Sequence, residues 1–335
     1  MKDYIYPGVN RHFLYLYASF MIFVLSQKQT TMKNFLSTLI TFMMLIPAMA
    51  LGQQSDVDTV RLYYLGGQSN MDGYGYNSEL PDDLDKTFKQ VPIYHGNPAG
   101  DDKTNGGFGL WEELRPGHGT GFSTDGKKNH LSDRFGVELS FAQRLQELYP
   151  NEDIALIKYS RGGTSIDSLA AEDFGCWEPD YRGEKGINQY DHFLKTVRNA
   201  MDVKNIDGDG REEHLVPSGI IWMQGESDAH VEAIAERYYH NLKRLMDLMR
   251  AAFRVDDLPV VIGKISDSWD DEDGKVWNYG DLVQHAQEKF SRTDECAAIV
   301  RTTRYYDYSD TWHYDSKGFI DLGEQFAEAV YQLNE

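Results

Sequence analysis

Five short runs of the chain are apolar without alternation, at 60–65, 154–159, 219–223, 259–265 and 297–302. Rich in β-branched and aromatic residues and too short for helices, they read as strands buried on both faces. Apolar residues also recur every three or four positions over 137–148, 192–201, 230–253, 282–290 and 319–333, the period of a helix with one buried face. Strands of this kind alternating with helices predict a five-stranded parallel sheet covered on both sides, a three-layer α/β/α sandwich. The stretch 74–134 is rich in Gly, Asn, Asp and Pro, lacks a long periodic segment, and reads as one long loop. A loop of that length inside a compact domain usually carries function.

At 335 residues, 41% hydrophobic and 26% charged, the chain can bury one large core or two small ones, and the alternation assigns residues 53–335 to a single domain. The net charge of -20 is concentrated in that domain. Residues 1–50 hold Lys2, Arg11, Lys28 and Lys33 against Asp3, or +3, which leaves -23 for the rest. Such a body repels phosphate backbones and anionic headgroups, which argues against nucleic acid or a membrane surface as partner.

From Met32 the order is Lys33, an apolar run at 35–47, then Ala48-Met49-Ala50, the three parts of a secretory signal. The apolar run is shorter than the ~20 residues a bilayer requires. Residues 1–52 therefore read as a leader with Met32 as the true start, and the mature protein as periplasmic or extracellular, with no membrane attachment after cleavage. Cys176 and Cys296 can pair or stay as two thiols, and both readings stay open, as does the oligomeric state.

In open parallel sheets the ligand sits beyond the carboxyl ends of the strands. The residues there are Gly66-Gly67-Gln68-Ser69-Asn70-Met71 after the first run, Ser160-Arg161-Gly162-Gly163-Thr164-Ser165 after the second and Gln224-Gly225-Glu226-Ser227-Asp228 after the third. Ser266-Asp267 follows the fourth, and the fifth leads to Asp310-Thr311-Trp312-His313. Serine is a weak nucleophile: it needs a base, the base an orienting carboxylate, and the developing oxyanion preorganised donors. This edge supplies all four parts. Of the ten histidines only His313 combines a place after the last strand with an aspartate three residues earlier, a spacing that lets Asp310 fold back onto the ring.

Gly67-Gln68-Ser69-Asn70-Met71, Arg161-Gly162-Gly163-Thr164-Ser165, Trp222-Met223-Gln224-Gly225-Glu226-Ser227-Asp228 and Asp310-Thr311-Trp312-His313 together resemble the sialate O-acetylesterase-like branch of the SGNH hydrolases, over roughly residues 58–335. That branch includes sialic-acid and acetylxylan esterases. The resemblance implies a flavodoxin-like sandwich and a serine esterase that removes O-acetyl groups from carbohydrates through an acetyl-serine intermediate. It makes Ser69 the nucleophile, His313 the base and Asp310 its orienter. The Ser69 amide, the amide of Gly162 or Gly163, with Gly162 favoured, and the Gln224 side chain would form the oxyanion hole. Gln68, Asn70, Glu226 and Trp312 are candidate substrate contacts, with a structural carboxylate in the turn the plainer reading of Glu226.

The rivals are a lipase or thioesterase on the same scaffold and a carbohydrate-binding protein without turnover. The polar stretch 74–134 suits hydroxyl-rich ligands better than an acyl chain, and a binding protein would be expected to lose Ser69 or His313. Neither a G-x-S-x-G elbow nor an H-E-x-x-H ligand pair occurs, and the chemistry calls for no cofactor. Trp177, Trp269, Trp277 and Trp312 fall in loops where a ring can stack on a sugar or simply pack. Asn205, Asp207 and Asp209 resemble the start of a calcium loop, but its twelfth position is Val216, so a solvated turn is the default and calcium the alternative.

Overall fold

The computed structural model describes residues 58–335 except 100–102, 104, 184–185 and 273, so the expected leader lies outside the described residues. Seven strands form the main sheet among them: β1 (Asp58–Gly67), β2 (Phe88–His95), β3 (Trp111–Leu114), β4 (Asp153–Ser160), β5 (Glu213–Met223), β6 (Val260–Gly263) and β7 (Ala297–Val300). Their order is β7-β6-β5-β1-β4-β2-β3. All neighbours are parallel except β3, which runs antiparallel to β2 at the edge.

The three-layer sandwich is as expected and all five predicted strands are present, but the sheet has seven strands rather than five. The extra two come from the stretch read as a loop. In β2, Pro92 and the polar pair Lys89-Gln90 break up the apolar run that marks the other strands. Gln90 adopts a left-handed φ of 71°, and the pairing with β3 shifts register between Phe88 and Pro92.

Six helices matter for the site: α1 (Ser69–Asp72), α2 (Glu138–Leu148), α3 (Gln189–Asp202), α4 (Tyr238–Phe253), α5 (Gly280–Thr293) and α6 (Ser316–Asn334). Side chains alternate across a strand, and adjacent tyrosines of β1 show which helices lie on which face. Tyr63 meets Phe141 of α2 edge-on at 5.5 Å, whereas Tyr64 meets Phe193 of α3 at 4.9 Å and Phe253 of α4 at 6.0 Å. On the first face α6 packs against α2, where a side chain added at Gly323 would strike Ser140 Oγ at 2.1 Å. No helix of the described residues is long and apolar enough to cross a membrane.

The periodic stretch 230–253 is not one helix. A 3-10 turn covers Ser227–His230, a single helical turn covers Glu232–Ala235, and α4 starts only at Tyr238. Val231 is extended at the first break. Neighbouring groups tie this region to another loop: Asp228 accepts the amides of Ile166 and Asp167, and Arg237 pairs with Asp167.

Parallel register aligns the strand ends. Gly67 is level with Ser160 and Met223, Met223 with Gly263, and Gly263 with Val300. The five segments read as chemistry-bearing therefore leave the sheet along one edge.

Candidate active site

At the end of β1 the chain turns sharply against β5. Gly67 has a φ of 144°, and a Cβ there would lie 1.9 Å from the Met223 carbonyl oxygen, so only glycine fits. The Gln68 amide donates to that same oxygen at 2.9 Å, and α1 begins at Ser69. Ser69 lines a cleft of about 520 Å³ together with Gln68, Asp72, Tyr74, Arg161, Gly162, Gly163, Trp277, Trp312 and His313.

Asp310 and His313 form a closed loop within one turn. His313 Nδ1 lies 2.8 Å from Asp310 Oδ2, while Asp310 Oδ1 accepts the amides of Trp312 and His313, each at 2.8 Å. Burial alone would raise the Asp310 pKa, but the His313 ring and these two amides outweigh it and hold the carboxyl below its ordinary value. The ring is fixed from the side by Tyr74, stacked on it at 3.5 Å with planes 5° apart. The last helix is capped separately: Asp315, not Asp310, accepts the Gly318 amide at 2.8 Å.

Two expected oxyanion donors are otherwise engaged. The Gly162 amide donates to Asp72 Oδ2 at 2.7 Å, and Asp72 Oδ1 takes the Ser160 hydroxyl. Gln224 is fully buried and does not line the cleft. Its Nε2 donates to the Thr164 carbonyl at 3.1 Å and to Asp228 at 2.7 Å, while its Oε1 accepts the Tyr238 hydroxyl at 2.9 Å. Both amide hydrogens are thus spent on the scaffold. By contrast the Ser69 and Gly163 amides have no acceptor among the described residues. In this structure the Gly162 amide and the Gln224 side chain are thus engaged, and Gly163 is the glycine whose amide has no acceptor among the described residues.

The candidate substrate contacts divide in the same way. Gln68 lines the cleft with its Oε1 held by the Gly225 and Ser227 amides, both at 3.3 Å, and Trp312 stands 51% exposed at the cleft. Asn70 and Glu226 are buried behind the wall and bonded to each other, Asn70 Nδ2 to Glu226 Oε1 at 2.9 Å. Neither is among the residues that line the cleft. Burial raises the Glu226 carboxyl to about 7 and that of Asp228 to about 6.

Several cleft residues carried no strong signal in the sequence, Asp72 and Tyr74 foremost among them. Asp72 lies one helical turn after Ser69, and that spacing was the available signal; burial raises its pKa. Tyr74 lies in the stretch without periodicity, where nothing marked it out. Arg161 spreads its guanidinium 4.9 Å from the centre of the Phe174 ring, and its Nε is buried without a partner.

Of the loop tryptophans, Trp177 is core, bonded through Nε1 to Thr164 at 3.0 Å. The Asn205 turn is closed by its own groups: Asn205 accepts the Gly208 amide, Asp207 that of Asp209, and Asp209 pairs with Arg211. Glu213 brings a third carboxylate within 4.8 Å of those of Asp207 and Asp209, a residue the calcium-loop spacing overlooked. Cys176 and Cys296 are both free thiols.

The strand order gives a doubly wound α/β/α sandwich with the cleft at the carboxyl ends of β1, β4 and β5. Residues 59–332 match the model of a carbohydrate esterase family described as sialic acid-specific acetylesterase, and the chain belongs to that family. It is a carbohydrate O-acetylesterase. No curated protein matches the chain. Among solved structures, a protein from Arabidopsis thaliana is similar with a TM-score of 0.56 at 20% identity, over 82% of this chain and 98% of that one. A carbohydrate acetylesterase from Xanthomonas citri gives 0.56 at 15% identity over 82% of this chain, which spans 56% of its length. NanS gives 0.54 at 15% identity, over 82% and 98%. At these identities the likeness is one of fold.

Proposed function

We propose that the enzyme removes acetyl groups from sugar hydroxyls through an acetyl-enzyme on Ser69, with His313 as base and Asp310 as its orienting carboxylate. The observation that carries this reading is the 2.8 Å contact between His313 Nδ1 and Asp310, which leaves Nε2 as the acceptor in a cleft that Ser69 also lines. His313 takes the Ser69 proton as Oγ attacks the acetyl carbon. The oxyanion is stabilised by the amides of Ser69 and Gly163. Collapse breaks the bond to the sugar oxygen, which leaves with the proton from His313. Water, deprotonated by His313, then releases acetate and restores Ser69. These steps use only the chain's own groups and need no cofactor.

Acetate release from a panel of acetylated sialic acids, acetylated xylans and aryl acetates tests the reading and ranks the substrates. Ser69→Ala is expected to lose at least about 10³-fold in kcat, and rapid quenching of the parent enzyme to show one acetyl group on the peptide containing Ser69. A folded Ser69→Ala protein with near-parental acetate release overturns it. Export is part of the same proposal. Protein recovered outside the cytoplasm is expected to begin near Gln53, and recovery in the membrane fraction with residues 1–50 intact would contradict this.

A further inference from the structure

Beside the cleft, two loops present the most exposed tryptophans among the described residues, Trp269 at 62% and Trp312 at 51%. Trp312 adjoins His313 and lines the cleft; Trp269 does not reach it. The loops are tied together at one residue. Ser268 Oγ donates to the Thr311 carbonyl at 2.7 Å, and the Thr311 hydroxyl donates to Asp270 at 3.3 Å. The neighbours of Trp269 on both sides thus grip the residue just before Trp312.

Trp269 is held in place deliberately rather than left at a loop tip. Its φ is 60°, a left-handed conformation that a bulky side chain rarely adopts. Asp267 enforces it, with Oδ1 accepting the Trp269 amide at 2.8 Å and the Val276 amide at 3.2 Å, and Oδ2 the Trp277 amide at 2.9 Å. Trp277, at the other end of this loop, forms cleft wall. One carboxylate therefore fixes a ring inside the cleft and a ring outside it. An exposed indole kept in a strained backbone points to a ligand rather than to packing.

We propose that Trp312 and Trp269 form a platform for the sugar units next to the acetylated one, so that the enzyme works on an oligosaccharide or polysaccharide chain. This rests on the proposed esterase only for which end of the chain carries the ester. An indole offers a flat apolar face that complements the C–H face of a pyranose ring. Asp270, Asp271 and Glu272 are exposed around Trp269. Their carboxylates accept hydrogen bonds from sugar hydroxyls and repel phosphate-bearing polymers and anionic lipid. Lys275 stands over one face of the Trp269 ring, 5.6 Å from its centre, and the residue as a whole is 62% exposed.

The test is binding without turnover. Tryptophan fluorescence of the Ser69→Ala protein is titrated with O-acetylated oligosaccharides of one, two and four units, in a xylan-based and a lactosamine-based series. Affinity is expected to rise at least tenfold from one to four units in one series. Adding Trp269→Gly removes the ring while suiting the φ of 60°. It is expected to abolish that rise while keeping or raising Tm. Affinity independent of length in both series, or a rise that survives Trp269→Gly, overturns the proposal. So does a Trp269→Gly protein that changes from dimer to monomer, since the ring would then cover a second copy. Failure of the esterase reading shows separately, as absence of acetate release from every ester by the parent enzyme.

Discussion

Asn70 holds the loop of His313 from both sides. Its Nδ2 donates to the carbonyl of Trp312 at 3.2 Å and its Oδ1 accepts the amide of Tyr314 at 3.3 Å, the two residues that flank the histidine. The residue after the proposed nucleophile thus sets the distance to the proposed base. Asn70→Ala is expected to lower kcat by about 10- to 100-fold with KM nearly unchanged, because the side chain is behind the cleft wall and misplaces the reacting groups rather than weakening binding. Steady-state kinetics on one acetylated substrate separate the two parameters.

Gln224→Ala distinguishes an oxyanion donor from a scaffold group. A donor's loss would cost about 10² to 10³ in kcat. With both amide hydrogens committed to Thr164 and Asp228, the expected result is a fall in kcat of less than about tenfold. Stability should drop by about 1–3 kcal/mol, since Asp228 and the Thr164 carbonyl lose a buried donor. Denaturant unfolding alongside kinetics on the folded fraction gives both numbers.

Glu226 makes stability depend on pH. Burial raises its pKa from 4.5 to about 7, so between those values the folded protein binds more protons than the unfolded chain. Its contribution is therefore fully present below pH 4.5 and is lost as pH rises to about 7. The loss is on the order of 3 kcal/mol at most. Relative to the parent, Glu226→Gln should gain several degrees in Tm on going from pH 5 to pH 8. Parallel melts at the two pH values check this, and Asp228, raised to about 6, adds a smaller slope of the same sign in both proteins.

Lys158 is completely buried and spends its three ammonium hydrogens on Glu138 at 2.8 Å, the Asp72 carbonyl at 2.9 Å and the His118 carbonyl at 2.9 Å. It thereby ties α1, the 115–122 loop and the start of α2 to β4. Lys158→Met leaves the Glu138 carboxylate buried and unpaired, and is expected to cost about 3–5 kcal/mol. Lys158→Met combined with Glu138→Gln should recover part of that loss, measured by urea unfolding.

The strands and most helices could be read from the chain because β1, β4 and β5 are apolar on both faces and α2, α3, α5 and α6 on one. β2 could not, since Pro92 and the left-handed Gln90 disguise it, and β3 is a four-residue edge strand with two glutamates. The break before α4 was hidden because the side chains that fix it, Asp228 and Arg237, bond to the 166–167 loop. The same limit applied at the site. Listing the residues at the strand ends needed only the parallel topology. Assigning their hydrogen bonds did not follow, because Gly162 answers to Asp72 and Gln224 to Asp228, and each pairing is set by three-dimensional proximity.

The antiparallel edge has a consequence for how neighbouring molecules meet. A parallel sheet that stopped at β2 would offer an eight-residue rim of unpaired amides and carbonyls for strand addition. β3 covers it with only four residues. Glu112 there is engaged by Arg115 at 3.0 Å and Asn129 at 2.7 Å, and Glu113 points a charge outward. A second sheet approaching that rim would have to desolvate a carboxylate for little ladder in return. For a protein expected to be secreted into crowded surroundings, this short acidic border makes this edge of the sheet a poor partner for strand addition.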